Sequence, residues 1–298
     1  MRKITVLGEC ALDIVFPSEA SSWPVSLQAR PAGRLVNAAA IAADHGLPVS
    51  FVGEAARDRA GDLVVDFLKS HNVDTHCIDR FSDGGVTSSN FIFPAREAGT
   101  DDTFILNRRF PSGDRFNAPW PRIDADDIVV FGGFFAISDR TRSQLTEILS
   151  YASERQALIV YLPGFIQTEA PRITRLMPAI LENLEYADII LTRSSDLRTL
   201  YSETDARKCF ERNIKFYCRT MINIDSAEHQ LTILHRDLST NVELRSDASS
   251  LAAQSAALAA LMQALMDGNV TLPSLTGLSE TAIQRIAATI ASVADVAS

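Results

Sequence analysis

The sequence predicts an α/β protein with a mostly parallel central sheet, helices on both faces of that sheet, and a small additional β-sheet. Short apolar runs rich in β-branched residues alternate with helical patterns over the first two thirds of the chain. Such alternation is typical of parallel strands joined by crossover helices. The last 50 residues predict successive helices. With 298 residues, 46% of them hydrophobic, the chain is long enough to bury one large core.

Six strands of the central sheet are predicted from short runs of Val, Ile, Leu and aromatic residues. Runs of this length, bounded by polar residues, are typical of strands that are buried on both faces. In chain order the predicted strands are Lys3–Leu7, Val49–Gly53, Ile128–Phe131, Leu158–Tyr161, Ile189–Leu191 and Ile214–Tyr217.

Helices are predicted between these strands wherever apolar residues recur at helical spacing. An Ala-rich segment near the C-terminus predicts one further long helix, because alanine has the highest helix propensity. The predicted helices are Val36–His45, Asp58–Ser70, Arg140–Arg155, Thr174–Leu184, Ser194–Tyr201 and Ser249–Asp267.

Two segments interrupt the alternation and predict the small sheet. Phe16–Ala32 is rich in Ser and Pro, and Thr87–Arg109 alternates polar and apolar residues on either side of Ala95–Asp102. Alternation with a period of two, interrupted by a polar turn, is typical of a hairpin with one wetter face. The two segments are therefore expected to form a β appendage on the α/β body.

Charge and cysteine usage restrict the classes of partner and the compartment. Lys and Arg number 28 against 37 Asp and Glu, which gives a net charge of −9. An acidic chain without a basic run argues against nucleic acid or an anionic membrane surface as partner, and no apolar run reaches the roughly 18 residues of a membrane span. Four cysteines without CxxC spacing do not form a disulfide framework, so a cytoplasmic location is expected. They are Cys10, Cys77, Cys209 and Cys218.

General catalytic motifs are absent from the sequence. It contains no GxGxxG after the first strand and no GxxxxGK[ST], HExxH or GxSxG. His71, His76 and Cys77 lie close in sequence, but a closed zinc site needs four well-spaced ligands, so no metal is expected there. Residues 165 to 267 contain no glycine, the residue that lets backbone amides wrap closely around a phosphate.

The first 70 residues carry a specific pattern. Gly8-Glu9 and Asp13 follow the first strand, and the stretch PAGRLVNAAAIAADHGLPVSFVGEAARDRAG then places Ala32-Gly33 shortly before Asn37. This order resembles the PfkB carbohydrate kinases, the ribokinase-like family that includes fructokinases. The resemblance implies a single ribokinase-like domain over residues 1–298 and a sugar-covering lid formed by about residues 16–32 and 86–110. A small open sheet leaves an exposed edge and an apolar face, so a homodimer through that lid is expected, with Phe91, Phe93, Phe104 and Ile105 either on this surface or packed on the body.

The resemblance also implies a site for a small-molecule sugar. Asp13 would accept hydrogen bonds from sugar hydroxyls, Gly33 would let the backbone approach the ring, and Asn37 would offer both a donor and an acceptor. The alternative to sugar binding is a structural role for each residue, in which Asp13 is a turn residue and Asn37 is a helix cap. Among sugars, a hexose such as fructose is the expectation, and it rests on the resemblance alone.

The catalytic signature of the family is altered near the C-terminus. The family has DTxGAGD before a long apolar helix, where the Gly-Ala-Gly amides bind the transferring phosphoryl group and the last Asp is the base. Alignment of the helix places Ala248, Ser249 and Ser250 under Gly-Ala-Gly and Leu251 under the base. Leucine cannot accept a proton, so the resemblance implies a kinase whose catalysis is impaired.

Three further family patterns differ in this chain. Where fructokinase-like members often have Asp-Pro-Asn-x-Arg, the chain has Leu-Pro-Gly-Phe-Ile at 162–166, so a cationic site becomes apolar. The Asn-x-x-Glu element of the magnesium site aligns with Arg193-Ser194-Ser195-Asp196, which leaves Asp196 as a weak metal candidate. The Thr-x-Gly-x-x-Gly turn of the nucleotide site falls within Thr220–Asp225, which has no glycine.

Asp247 offers an alternative to the missing base. It lies four residues before Leu251, about one helical turn, and a shifted register would place its carboxylate at the positive end of the helix dipole. The simpler interpretation is that Asp247 is the N-cap of a helix beginning at Ala248 or Ser249.

Three functions therefore remain open from the sequence. The first is a carbohydrate-binding pseudokinase that requires no cofactor. The second is an active sugar kinase that uses MgATP and a displaced base such as Asp247. The third is a non-catalytic structural dimer.

Overall fold

A computed structural model of the chain describes residues 2–19, 24–82, 84–95, 102–111, 116–164, 173–245 and 249–294. Within these residues the strands form a nine-stranded central sheet and a four-stranded small sheet. The strands are β1 (Ile4–Leu7), β2 (Ala11–Val15), β3 (Gln28–Pro31), β4 (Val49–Ala56), β5 (Ile78–Phe81), β6 (Val86–Phe93), β7 (Thr103–Arg109), β8 (Ile128–Gly132), β9 (Leu158–Leu162), β10 (Ile189–Arg193), β11 (Thr220–Asp225), β12 (Gln230–His235) and β13 (Leu238–Glu243).

The central sheet has the order β13-β12-β11-β10-β9-β8-β1-β4-β5. Its strands from β11 to β5 run parallel, whereas β12 and β13 add an antiparallel hairpin at one edge. Because the parallel strands share one direction, their carboxyl ends meet at a single edge of the sheet, which is where α/β proteins place their sites.

Helices cover both faces of the central sheet, as the sequence predicts. Val36, Val64 and Leu258 bury α1, α2 and α7 against one face, together with α9. Leu145 and Ile180 bury α3 and α4 against the other face, together with α5. The helices are α1 (Arg34–Asp44), α2 (Arg59–Ser70), α3 (Arg142–Glu154), α4 (Ile173–Tyr186), α5 (Ser194–Tyr201), α6 (Ala206–Cys209), α7 (Leu251–Asp267), α8 (Leu272–Leu275) and α9 (Glu280–Ala294).

The small sheet has the order β3-β2-β6-β7. Its strand β2 begins only four residues after the end of β1, at Ala11, so the small sheet starts earlier than the expected boundary at residue 16. Asp13 therefore lies inside a strand of this sheet and not at a turn, and it is paired in register with Asn90 of β6. The β6–β7 hairpin forms where the alternating pattern predicts it.

The strand predicted at Ile214–Tyr217 is wrong. Phe210–Ile214 forms a π-helical segment, and the amides of Tyr217 and Cys218 donate to the carbonyl of Ile214 in the turn that follows. Phe216 is 76% exposed, so this run does not supply the buried face that a central strand requires. The strand is β11, a few residues later.

The position expected for the nucleotide-site turn is also wrong. Thr220–Asp225 is strand β11 and pairs with β10 along its length. The turn that follows it covers residues 226–229 and contains no glycine. His229 adopts a φ of +48° there, a left-handed conformation in which glycine is usual.

The C-terminal helix begins at Leu251, two residues later than predicted at Ser249, and Asp247 is not its N-cap. Ser250 caps it instead, because its hydroxyl oxygen accepts a hydrogen bond from the amide of Ala253 at 3.0 Å. Asp247 and Ala248 lie outside the described residues. Among the described helices, none combines the length and apolar character needed to cross a membrane.

Asp58 connects the small sheet to the α/β body. Its carboxylate caps α2 by accepting from the Gly61 amide at 2.7 Å, and it also accepts from the amide and hydroxyl of Thr87 in β6 at 2.9 and 2.7 Å. Burial opposes ionisation of Asp58, but the hydrogen bonds from Thr87 and Gly61 outweigh burial and lower its pKa.

We expect Asp58→Ala to lower the free energy of unfolding at pH 7 by about 1–2 kcal/mol, because a helix cap is lost. The pKa of Asp58 is lower in the folded protein than in the unfolded chain, where an aspartate has a pKa of about 3.9. Its carboxylate therefore stabilises the fold above the unfolded-state pKa, and this contribution is lost as the pH falls through the folded-state pKa. Urea denaturation should therefore give a smaller difference between wild type and variant at pH 3 than at pH 7.

Asp66→Ala is the matched control, because Asp66 is exposed on the same helix. A loss of stability equal to that of the control, or one that does not depend on pH, would contradict the role assigned to Asp58.

Candidate functional site

A cleft of about 630 Å³ lies between the small sheet and the central sheet. The small sheet contributes residues of β2, β6 and β7, and the central sheet contributes the carboxyl ends of β8, β9 and β10. The N-terminal ends of α1 and α7 complete its wall. The cleft therefore brings together the N-terminal motif and the C-terminal helix, two parts of the chain that are more than 200 residues apart in the sequence.

Asp13 and Asn90 form a polar pair on the small-sheet wall of the cleft. The Asn90 amide nitrogen donates to the Asp13 carboxylate at 2.9 Å, and the Arg30 guanidinium lies 3.8 Å from the other carboxylate oxygen. Asp13 is 5% exposed, and this burial raises its pKa against the opposing effects of Asn90 and Arg30. The carboxamide oxygen of Asn90 is buried with no hydrogen-bond partner among the described residues, so this wall has an unused acceptor.

Gly33 lines the cleft immediately before α1, whereas Asn37 supports the turn behind it. Gly33 has a φ of +84°, a conformation that residues with a side chain rarely adopt. The Asn37 amide nitrogen donates to the carbonyls of Pro31 and Gly33 at 3.2 and 2.7 Å. Asn37 is not among the residues that line the cleft, and its contacts stabilise the turn that presents Gly33.

An ion pair joins the two walls at one side of the cleft. Both nitrogens of the Arg108 fork donate to the carboxylate of Glu9, at 2.8 and 3.1 Å. The Arg108 guanidinium also lies 3.7 Å above the ring of Phe134. Arg108 belongs to β7 and Glu9 to the short link between β1 and β2, so this pair holds the far edge of the small sheet over the cleft.

Two arginines lie where the central sheet forms the floor of the cleft. Arg193, at the end of β10, donates to Asp196 at 2.6 and 3.0 Å. Burial would raise the pKa of Asp196, but the charge and hydrogen bonds of Arg193 and the charge of Arg34 outweigh burial and lower it. Arg34 extends from the first position of α1 to Gly164 after β9, where an added methyl group would overlap its guanidinium. Gly164 belongs to the segment at 162–166 that the sequence predicts to be apolar, so the Arg34 guanidinium of α1 lies beside this segment.

The N-terminal end of α7 closes the cleft. Ser249, Ser250 and Leu251 all line it, and Leu251 is the first residue of the helix. The structure thus brings the half-buried leucine side chain to the same cleft as Asp13. Of the three residues aligned with Gly-Ala-Gly, Ser249 and Ser250 are described there, whereas Ala248 and the candidate base Asp247 lie outside the described residues.

The described residues do not fit a magnesium ion. Asp196 is 1% exposed and bonded to Arg193, and a second guanidinium lowers its pKa, so cations already occupy its surroundings. No group of three His, Cys, Asp or Glu side chains in the described part of the chain could hold a metal. The Mg²⁺ that an active sugar kinase would bring with ATP therefore has no ligand set among these residues.

Sequence reasoning did not single out Arg34 or Arg30, and it left open on which face of the small sheet Asn90, Asn107 and Arg108 lie. Asn90 and Arg108 face the cleft, whereas Asn107 is exposed on the other face. The sequence does contain a signal for Arg34. A cation in the first turn of a helix opposes the helix dipole, and in an otherwise apolar helix this placement indicates a role outside the helix.

The fold is shared with several solved sugar kinases of low sequence identity. A fructokinase from Xylella fastidiosa is 18% identical, with 99% of this chain and 92% of that chain covered and a TM-score of 0.76. A fructokinase from Vibrio cholerae O395 is 13% identical, with 100% and 98% covered and a TM-score of 0.79. Aminoimidazole riboside kinase from Salmonella enterica is 17% identical, with 99% and 96% covered and a TM-score of 0.72.

No curated protein sequence matches the chain significantly. The sequence profile described as "pfkB family carbohydrate kinase" matches residues 1–220, which is most of the chain and includes the small sheet, the N-terminal motif and the strands up to β10. The resemblance inferred from the N-terminal motif is thereby confirmed, and the chain belongs to the pfkB family of carbohydrate kinases.

Proposed function

We propose that this protein binds a carbohydrate in the cleft and transfers phosphoryl groups to it little or not at all. The observation that carries the proposal is the contrast between the two walls of the cleft. One wall has Asp13 and an unused acceptor on Asn90, which suit sugar hydroxyls. The other wall has Leu251 at the start of α7, where the family has its base.

The loss of a general base, and of the glycines that let backbone amides wrap closely around the phosphoryl group, accounts for the expected lack of catalysis. General-base catalysis alone typically contributes about 10²–10⁴-fold in rate, and an anion hole contributes a comparable factor. The environment of Asp196 adds to this, because two guanidinium groups stand where a magnesium ion would need carboxylates.

The solved fructokinases support a hexose as the first class of sugar to test, since one Vibrio cholerae fructokinase structure contains fructose and ADP. The Salmonella relative instead contains aminoimidazole riboside and an ATP analogue. The competing function is an active MgATP-dependent kinase of a fructose-like hexose in which Asp247 serves as base.

We expect Asp13→Asn to weaken hexose binding by about 10–100-fold, because hydrogen bonds to a charged group contribute more than those to a neutral one. Isothermal titration of the full chain with a hexose panel measures this change. Asp66→Asn, which removes a charge from an exposed site on α2, should bind like wild type. Equal affinities for wild type and Asp13→Asn would contradict the sugar site.

We also expect no hexose-dependent release of ADP from MgATP by the wild-type protein above the uncatalysed background. A coupled ADP assay with the same panel measures turnover, and thermal unfolding of each sample confirms that the protein is folded. Turnover that disappears in a folded Asp247→Asn variant would overturn the pseudokinase proposal and establish the active kinase.

The outer face of the small sheet supports a homodimer. Phe16 stacks on Phe93 there, with ring centroids 4.3 Å apart, and Ile105 of the edge strand β7 is 54% exposed. An apolar face beside an open strand edge is a surface that a second copy of the same sheet can cover. The sequence offers Phe91, Phe93, Phe104 and Ile105 for this surface. Phe104 instead lines the cleft, whereas Phe91 packs beside Phe16.

Ile105→Glu should shift the protein from dimer to monomer, because a carboxylate would be buried in the interface. Sedimentation velocity measures the shift. Leu63→Glu is the matched control, since Leu63 is 43% exposed but lies on α2. A wild-type monomer, or an Ile105→Glu dimer as stable as wild type, would contradict this interface.

A further inference from the structure

We propose that a surface at the edge of the central sheet opposite the cleft binds an acidic segment of a partner protein. We call it the basic aromatic surface. Its members are two exposed aromatic side chains and three exposed arginines, namely Phe216, Tyr217, Arg212, Arg219 and Arg236. The cleft lies at the carboxyl ends of β8, β9 and β10, whereas these residues lie beside the amino end of β11, which runs parallel to β10. The surface is therefore separate from the proposed carbohydrate site.

Two of the arginines are brought together by the pairing of β11 with β12. Arg219 directly precedes β11 and Arg236 directly follows β12, and the Arg236 amide donates to the Arg219 carbonyl at 3.0 Å. His235 lies opposite Thr220 in the strand register and is buried between the two. Its pKa is lowered by burial and by the charges of Arg236 and Arg219, so both positive charges act at this end of the sheet.

The two aromatic side chains are exposed on a turn that the fold holds in place. Phe216 is 76% exposed and Tyr217 is 40% exposed. The turn follows the π-helical segment Phe210–Ile214, and buried Ile214 and Cys218 anchor it on both sides. The amides of Tyr217 and Cys218 donate to the Ile214 carbonyl. π-Helical segments are frequent at functional sites, and aromatic residues and arginine are enriched where protein interfaces are strongest.

The charge of this surface is opposite to that of the whole chain. Residues 207–219 contain five Lys or Arg and one acidic residue, Glu211, in a chain with a net charge of −9. Lys215 pairs with Glu211, and Asp237 is the exposed neighbour of Arg236. Arg212, Arg219 and Arg236 form no ion pair with any carboxylate in the described part of the chain. Their charges are therefore available to an acidic ligand.

Charge complementarity selects the class of partner. A symmetric contact with a second copy would place the same arginines opposite each other, which is unfavourable. A long polyanion such as nucleic acid would extend beyond the surface onto a chain that is acidic in spite of these arginines, and it would be repelled there. A short acidic segment that also carries apolar side chains matches both the arginines and the two aromatic rings.

The test begins with a phage library of random dodecapeptides, which is selected on the immobilised full chain. We expect the enriched peptides to contain more Asp and Glu than Lys and Arg. A fluorescent synthetic copy of the most enriched peptide should bind the full chain in an anisotropy titration, and its affinity should fall as ionic strength rises. A twelve-nucleotide oligo-dT and vesicles that contain phosphatidylserine are titrated in parallel.

Substitutions in the basic aromatic surface should weaken binding of this peptide. We expect about a tenfold loss of affinity for Phe216→Ser and at least a tenfold loss for the double variant Arg219→Glu/Arg236→Glu. Leu63→Ser is the matched control for the first, because Leu63 is a large apolar residue that is 43% exposed on α2. Arg59→Glu/Arg285→Glu is the control for the second, with both arginines exposed on other helices. Thermal unfolding confirms that each variant is folded.

Selection that enriches no peptide, or only peptides without an excess of acidic residues, would overturn the proposal. An affinity that the surface variants reduce no more than their controls would also overturn it. Stronger binding of oligo-dT or of the vesicles than of any peptide, lost in the arginine variant, would replace the protein partner by a nucleic acid or a membrane. None of these outcomes bears on carbohydrate binding in the cleft, which Asp13→Asn tests separately.

Discussion

The ion pair between Glu9 and Arg108 fixes the small sheet in place over the carboxyl ends of the central strands. Glu9 lies in the three-residue link between β1 and β2, and Arg108 lies in β7, two strands away across the small sheet. The sheet is thus held at its covalent link and at its far edge. Asp13 and Asn90 lie on the two strands between these anchors, so their distance from the floor of the cleft depends on this pair.

The carboxylate of Asp13 and the guanidinium groups of Arg34 and Arg193 line different walls of the cleft. Carboxylate and amide groups line the small-sheet wall, where burial raises the pKa of Asp13, and guanidinium groups line the floor, where their charges lower the pKa of Asp196.

Most buried strands and their helices could be predicted because each carries a continuous apolar run or an apolar helical face, as Ile128–Phe131 and α5 show. The buried strand β11 was placed too early because the run Ile214–Tyr217, which is not a strand, resembles one. The β12–β13 hairpin was missed because one of its faces is wet and its turn has no glycine. Leu251 could be placed at the start of α7 by aligning the apolar pattern of this helix with the family signature, and the structure brings this residue to the cleft. The position of Arg34 in the cleft could not be predicted, because it depends on how closely the Arg34 guanidinium approaches Gly164, which lies 130 residues further along the chain.

The family fold and the proposed loss of the base are compatible because they depend on different residues of the same helix. Helix α7 is buried through residues such as Ala257, Leu258 and Leu261, which pack it against α1 and α9. In its first turn Ala253 belongs to the same buried core, whereas Leu251 is half-buried and lies outside that core. Under the proposed function, leucine in place of an acidic residue at position 251 would therefore remove the proton acceptor while the helix, the sheet beneath it and the cleft keep their packing. Backbone packing and side-chain chemistry are also separate at β10. Arg193 ends this buried strand, and its side chain brings a positive charge to the floor of the cleft.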